Sequence, residues 1–108
     1  MRPAQSLASV NLTPATLPDA EGQPAISRST LHRTQQSSVD VWEFEVGEFE
    51  WRTDADHCTC VLTGSADVEL ADGRCFCLRP GTSFFLPRGM HGRWNVLETL
   101  RTVSVRSS

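Results

Sequence analysis

Apolar and polar positions alternate from residue 42 onward. Trp42, Phe44 and Val46 alternate with Glu43 and Glu45; after Gly47 the phase slips by one, and Phe49 and Trp51 alternate with Glu48, Glu50 and Arg52. A period of two is the mark of a half-buried strand, and a slip at a glycine predicts a bulge or bend joining two strand segments. Ala66, Val68 and Leu70 against Asp67 and Glu69 repeat the pattern. Further short strands are predicted over residues 58–63, 66–70, 74–78, 82–86, 93–97 and 100–105. Their separators, Thr63-Gly64-Ser65, Ala71-Asp72-Gly73, Pro80-Gly81 and Pro87-Arg88-Gly89, all have turn chemistry. No amphipathic helical stretch interrupts them. Short antiparallel strands at this spacing predict an all-β sandwich or small barrel, in which closure protects the edges.

The aromatic residues divide the chain. All of them (Trp42, Phe44, Phe49, Trp51, Phe76, Phe84, Phe85 and Trp94) lie between residues 42 and 94, so the core is expected within residues 41–108. Residues 1–40 are rich in Ser, Thr, Gln and Pro, with scattered Leu7, Val10, Leu12, Leu17, Ile26 and Leu31. That is enough to lie along a sheet and too little to fold alone. The stretch reads as an extended N-terminal arm that either docks on its own barrel or reaches a partner chain.

With 108 residues, 39% hydrophobic and 21% charged, the chain is one soluble domain. A formal net charge of −3 argues against a nucleic-acid binder that works by phosphate neutralisation. No apolar run approaches the roughly 20 residues of a membrane helix. All ten cations are arginine, which removes lysine Schiff-base chemistry and favours forked recognition of carboxylates. No apolar core of a signal peptide interrupts the first twenty residues, so a cytoplasmic location with reduced cysteines is expected.

The Gly47-x-Phe49-x-Trp51 element, Val61-Leu62-Thr63-Gly64, Arg79-Pro80-Gly81 and Leu86-Pro87-Arg88-Gly89-Met90-His91-Gly92-Arg93-Trp94 together resemble the cupin superfamily. More narrowly they are similar to the short single-domain cupins grouped with the cupin domain of ureidoglycine aminohydrolase. The resemblance spans about residues 41–105. It implies a small jelly-roll β-barrel of the RmlC-like type, two facing sheets with a pocket inside one open end. Placed on the metal-binding motifs of such cupins, the ligand positions fall on Trp51, Thr53, His57 and Gly92. One imidazole among indole, hydroxyl and glycine cannot supply the three or four donors that zinc or non-haem iron takes. No cofactor is therefore expected, with a transition metal the lesser reading.

His57 is the candidate catalytic residue, since its motif position aims it into the barrel, where burial can tune an imidazole for acid–base work. The plainer reading is a histidine that stands in for the family's glutamate and hydrogen-bonds a neighbour. Asp54 and Asp56 flank it and are expected to raise its pKa. Trp51, Thr53 and Trp94 are expected to line the site, and Arg88 and Arg93 to bracket its mouth and hold an anion. His91 falls on the opposite strand face, and His32 carries no signal. Cys58-x-Cys60 and Cys75-x-Cys77 read as buried free cysteines rather than a zinc site. The acids at 40, 43, 45, 48, 50, 54 and 56 read as a solvated strand face, or else as an interface with an arginine-bearing surface or a cation site.

Three functions follow. The first is a metal-free barrel that binds a small polar or anionic metabolite. The second, implied by the resemblance, is a metal-dependent aminohydrolase acting on a small nitrogenous acid in purine catabolism. The third is an interaction module, a homodimer through the arm or an open edge at residues 41–47.

Overall fold

The computed structural model describes residues 7, 10–17, 20–22 and 24–107. Nine strands form, and no helix occurs among the described residues: β1 (Thr13–Ala15), β2 (Ala20–Glu21), β3 (Ile26–Arg33), β4 (Ser37–Phe44), β5 (Gly47–Arg52), β6 (Asp56–Leu70), β7 (Cys75–Leu78), β8 (Ser83–Leu86) and β9 (His91–Ser107).

Two long strands organise the rest. β6 and β9 run antiparallel over most of their length, and their register shifts between Val61 and Ala66. Here the expected turn at Thr63-Gly64-Ser65 is instead a bend inside one continuous strand, and the segments 93–97 and 100–105 are likewise one strand. A glycine with positive φ serves a bend as well as a turn, and Gly64 has φ +86°. Its missing side chain also lets the backbone of Thr99 come close.

The bends split the sheet into two layers. In the first, β1, β3, β4, the C-terminal half of β9, the N-terminal half of β6, and β8 lie side by side. In the second, β2, β5, the N-terminal half of β9, the C-terminal half of β6, and β7 do so. The all-β jelly-roll expectation holds. Phe44 of the first layer packs on Trp94 of the second at 6.3 Å between ring centroids, and Phe84 on Trp94 at 6.0 Å. The inward phase expected for Phe49, Trp51, Ala66, Val68, Leu70 and Trp94 is found, all being buried.

Several expectations change. Val46 is 59% exposed because the phase slips before it rather than after it, at the β4–β5 bend. β4 begins at Ser37, and Ile26–Arg33 pairs along it as β3, so β4 has hydrogen-bonded neighbours on both sides. The open edge expected at residues 41–47 is therefore covered by the chain's own β3. Arg101 donates to the carbonyls of Leu7 and Val10 at 3.1 and 3.0 Å, which ties these two residues to the first layer. The cysteines are free as expected, but Cys58, Cys75 and Cys77 are exposed and Cys60 half-exposed. Strand parity explains this: His57, Thr59 and Val61 take the inward positions of β6 and turn Cys58 and Cys60 outward, and Phe76 and Leu78 do the same for Cys75 and Cys77 on β7. On that outer surface Cys58 lies between Phe85 and Val105, which are 58% and 42% exposed. Among the described residues no helix is long and apolar enough to cross a membrane.

Candidate functional site

At one end of the first layer the inward side chains change from apolar to polar. On β4 the inward series Phe44 and Trp42 continues as Asp40 and Ser38; on β9 Leu100 gives way to Thr102, Ser104 and Arg106; on β6 Val61 gives way to Thr59 and His57. The registers align these into two transverse rows. Arg33, Ser38, Arg106 and His57 form the outer row, and Thr30, Asp40, Ser104 and Thr59 the inner. Ser38, Asp40, His57, Thr59 and Ser104 are all buried. Above these rows lies an open cavity of about 400 Å³ walled by Arg28, Arg33, Ser38, Asp40, Trp51, Asp54, His57 and Arg106, with Leu17 and residues 34–37 completing the rim.

Most of the buried polar atoms are satisfied, as burial demands. Asp40 accepts from Thr30 Oγ1 at 2.6 Å and from Ser38 Oγ at 2.9 Å, and the hydroxyls of Thr59 and Ser104 bond each other. Arg106 forks onto Asp54, with Nε 3.4 Å from Oδ1 and Nη2 2.8 Å from Oδ2. Two buried side-chain atoms have no hydrogen-bond partner among the described residues, Trp51 Nε1 and His57 Nε2. The imidazole of His57 is edge-on to Trp51 at 5.0 Å, and its Nε2 is 3.5 Å from Asp54 Oδ1, beyond good hydrogen-bond length. Arg28 lies over the ring of Trp42 at 5.2 Å and makes no ion pair among the described residues.

The expected residues are only partly brought together. Trp51 and His57 wall the cavity; Trp94 lies deeper, behind them, in the aromatic core. Thr53 is buried but does not face the cavity. Its Oγ1 donates to Pro87 O at 2.6 Å and accepts from Met90 N at 2.9 Å, tying down the β8–β9 turn. Arg88 is exposed and gives its backbone N–H to Asp56 Oδ1. Arg93 pairs with Glu50 on the outer surface at 3.3 Å, because Trp94 beside it takes the inward position. Neither reaches the mouth, whose cations are Arg28, Arg33 and Arg106. Asp40, expected on a solvated face, is 4% exposed and turned inward. His91 is on the outer face as expected, 3.7 Å from Glu50.

The expected rise in the pKa of His57 is reversed. Burial pushes it below its ordinary 6.5, Asp54 opposes this, and the charge of Arg106 adds to the lowering. For Asp54, burial pushes upward, but Arg106 and His57 together more than offset it and hold the carboxyl below the usual carboxylate range. Between 6.5 and its lowered native value His57 binds fewer protons folded than unfolded, so stability falls as pH drops through that window. A second loss follows below about pH 4 as Asp54 is protonated. His57→Gln is expected to flatten the first step and leave the second, as thermal melts from pH 7.5 to 3 would show. An unchanged first step would assign it to another group.

The metal-ligand positions can be judged on their chemistry. Trp51 offers an indole N–H, which is a donor only, and the hydroxyl of Thr53 is committed to the Pro87 turn. A side chain on Gly92 would set its Cβ 3.0 Å from Leu70 Cδ2 and 3.4 Å from Glu69 O, leaving little room for an imidazole. His57 alone remains. No cluster of three or more His, Cys, Asp or Glu that could hold a metal occurs among the described residues. The donor set does not fit a metal at this position.

Comparison with known proteins follows the same lines. The chain is similar to a DUF861 family protein from Thermotoga maritima, at 34% identity over 59% of this chain and 73% of that one, with a TM-score of 0.57. It shares its fold with EutQ from Clostridium difficile (21% identity, 77% of this chain and 68% of that one, TM-score 0.68). The cupin domain of Cnp3 from Schizosaccharomyces pombe shares it too (20%, 97% and 73%, TM-score 0.73). No curated protein matches the chain. Residues 31–103, from within β3 to near the end of β9, match the EutQ-like cupin domain, and the chain belongs to that family.

Proposed function

We propose that this single-domain cupin binds a small anionic metabolite in the polar end of its barrel, with Arg28, Arg33 and Arg106 at the mouth and His57 as the buried anchor. One observation carries the reading. Two buried nitrogens, on Trp51 and His57, have no hydrogen-bond partner among the described residues, on the wall of a cavity whose charged residues are three arginines and two aspartates. Both aspartates are already engaged, Asp40 by hydroxyls and Asp54 by Arg106, whereas Arg28, over the ring of Trp42, has no ion-pair partner among the described residues. An oxyanion supplies an acceptor for the indole N–H and an ion-pair partner for the Arg28 guanidinium. His57, held near Asp54, is the group we assign to proton transfer on a bound molecule.

The aminohydrolase alternative needs a metal with three or four protein donors, and the residues at those positions do not provide them. The homodimer alternative loses its open edge and rests instead on the outward row of Phe85, Cys58 and Val105.

Thermal melting in acetate, malonate and phosphate, each against matched chloride, tests the anion reading. A bound anion at a hundred times its Kd is expected to add about 2.7 kcal/mol of stability. His57→Ala should weaken that response, and His57→Glu should weaken it further by repelling the anion. A melting temperature indifferent to every anion, or a response unchanged in both variants, would refute the site.

A further inference from the structure

We propose that the cavity is built for a small hydroxycarboxylic acid, with Arg28 taking its carboxylate and Asp40 accepting a hydrogen bond from the hydroxyl beside it. The proposal rests on the anion-binding reading and adds a specificity residue that the reading leaves unused.

Asp40 is out of place in a site for a simple anion. It is 4% exposed and walls the cavity, yet among the described residues no arginine or histidine pairs with it. A carboxylate stripped of water is costly to bury unless hydrogen bonds replace its hydration. When ionised it has about four acceptor sites and no donor of its own. Thr30 occupies one site on Oδ1 and Ser38 one on Oδ2, which leaves acceptor capacity on both oxygens. Only a donor can use that capacity, and a bare carboxylate such as acetate has none to offer.

The strand register sets the two ends of the ligand. In the β3–β4 pair Arg28 stands opposite Trp42 and Thr30 opposite Asp40, so Arg28 and Asp40 are diagonal neighbours, and both wall the cavity. Diagonal pairs of this kind are about 7–8 Å apart, a gap that a long side chain and a small molecule close together. A carboxylate on the Arg28 guanidinium therefore holds the atoms next to it toward Asp40.

Charge selects the kind of donor. The cavity wall carries three arginines and two aspartates, and His57, whose burial keeps it uncharged near pH 7, adds nothing. A monoanion neutralises the positive charge that remains. A hydroxy acid meets this balance and brings a neutral O–H for Asp40. The zwitterion of an amino acid carries no net charge, and its ammonium would enter a cavity that is already net positive.

Calorimetric titration of the full chain with lactate, propionate, 2-fluoropropionate and alanine separates these roles. Lactate is expected to bind at least about 10-fold more tightly than propionate, the worth of one hydrogen bond to a charged group. 2-Fluoropropionate, close to lactate in size but unable to donate, should bind like propionate, and alanine more weakly than lactate. These comparisons need no variant. In Asp40→Asn the advantage of lactate should fall several-fold while the affinity for propionate is kept. Lactate no tighter than propionate, 2-fluoropropionate or alanine equal to lactate, or a lactate advantage unchanged in folded Asp40→Asn overturns the proposal, while saturable propionate binding upholds the anion site. Absence of saturable binding by all four overturns both.

Discussion

Gly64→Ala is expected to lower the melting temperature by about 15 °C or more, or to prevent accumulation of folded protein. A Cβ at this position would lie 2.0 Å from the carbonyl oxygen of Thr99, 2.7 Å from its carbonyl carbon and 2.8 Å from Leu100 Cα. All three are backbone atoms of the strand paired with it, so none can swing away. Relief requires opening the β6–β9 ladder at the bend where the two layers diverge. The φ of +86° adds about 1–2 kcal/mol of strain for any L side chain. Gly81→Ala is the control: its φ is +87°, and nothing lies within 4 Å of the added methyl. Strain alone predicts a modest loss there. If the two variants melt within a few degrees of each other, the close approach of β6 and β9 is wrong.

The second large effect concerns affinity. Arg28→Met is expected to weaken acetate binding about 10- to 100-fold, the loss of one charge-assisted hydrogen bond of about 1.5–3 kcal/mol. Of the three arginines at the mouth, Arg106 is committed to Asp54 and Arg33 is exposed, which leaves Arg28 as the half-buried cation available to a ligand. Methionine keeps an apolar stem against Trp42, so stability should fall only by the cation–π contribution, about 0.5–1 kcal/mol. Unaltered acetate affinity with an unaltered melt would remove Arg28 from the site.

Much of the fold was legible because burial in a sheet obeys parity. Phe49 and Trp51, and Ala66, Val68 and Leu70, were placed inward by alternation alone and are inward. Turn chemistry was less decisive. Thr63-Gly64-Ser65 reads as a chain reversal, yet the same glycine conformation bends a strand that continues, and only the proximity of Thr99 distinguishes the two. β3 was hidden because Ile26–Arg33 buries one apolar residue, Ile26 at its start, while its other, Leu31, is 40% exposed and the rest faces solvent or the polar cavity.

The site was legible in its centre, at Trp51 and His57, and misread at its rim. Parity already held part of the remedy: an inward Trp94 turns Arg93 outward, and an inward Leu100 carries Thr102, Ser104 and Arg106 inward with it. Extending the phase of Phe44 and Trp42 backward likewise reaches Asp40 and Ser38. These residues were passed over because composition assigns serine, aspartate and arginine to the surface. Three strands switching from apolar to polar inward positions at one level is the signal that would have found the rows. The placement of Arg28 and Arg33 was not available that way, since it depends on the pairing of β3 with β4 and on the register shift between Thr30 and His32.

The indole N–H resonance of Trp51 tests the central claim most directly. The chain has three tryptophans, so its nitrogen-15 spectrum should hold three indole signals, assignable by substitution of each. The anion-site account predicts that acetate titration shifts the Trp51 indole saturably as its buried N–H gains an acceptor. The indoles of Trp42 and Trp94 should move much less, and Arg28→Met should weaken the Trp51 response in step with affinity. A Trp51 signal that does not move, or three indoles that drift together without saturation, would contradict an anion-binding site at this end of the barrel.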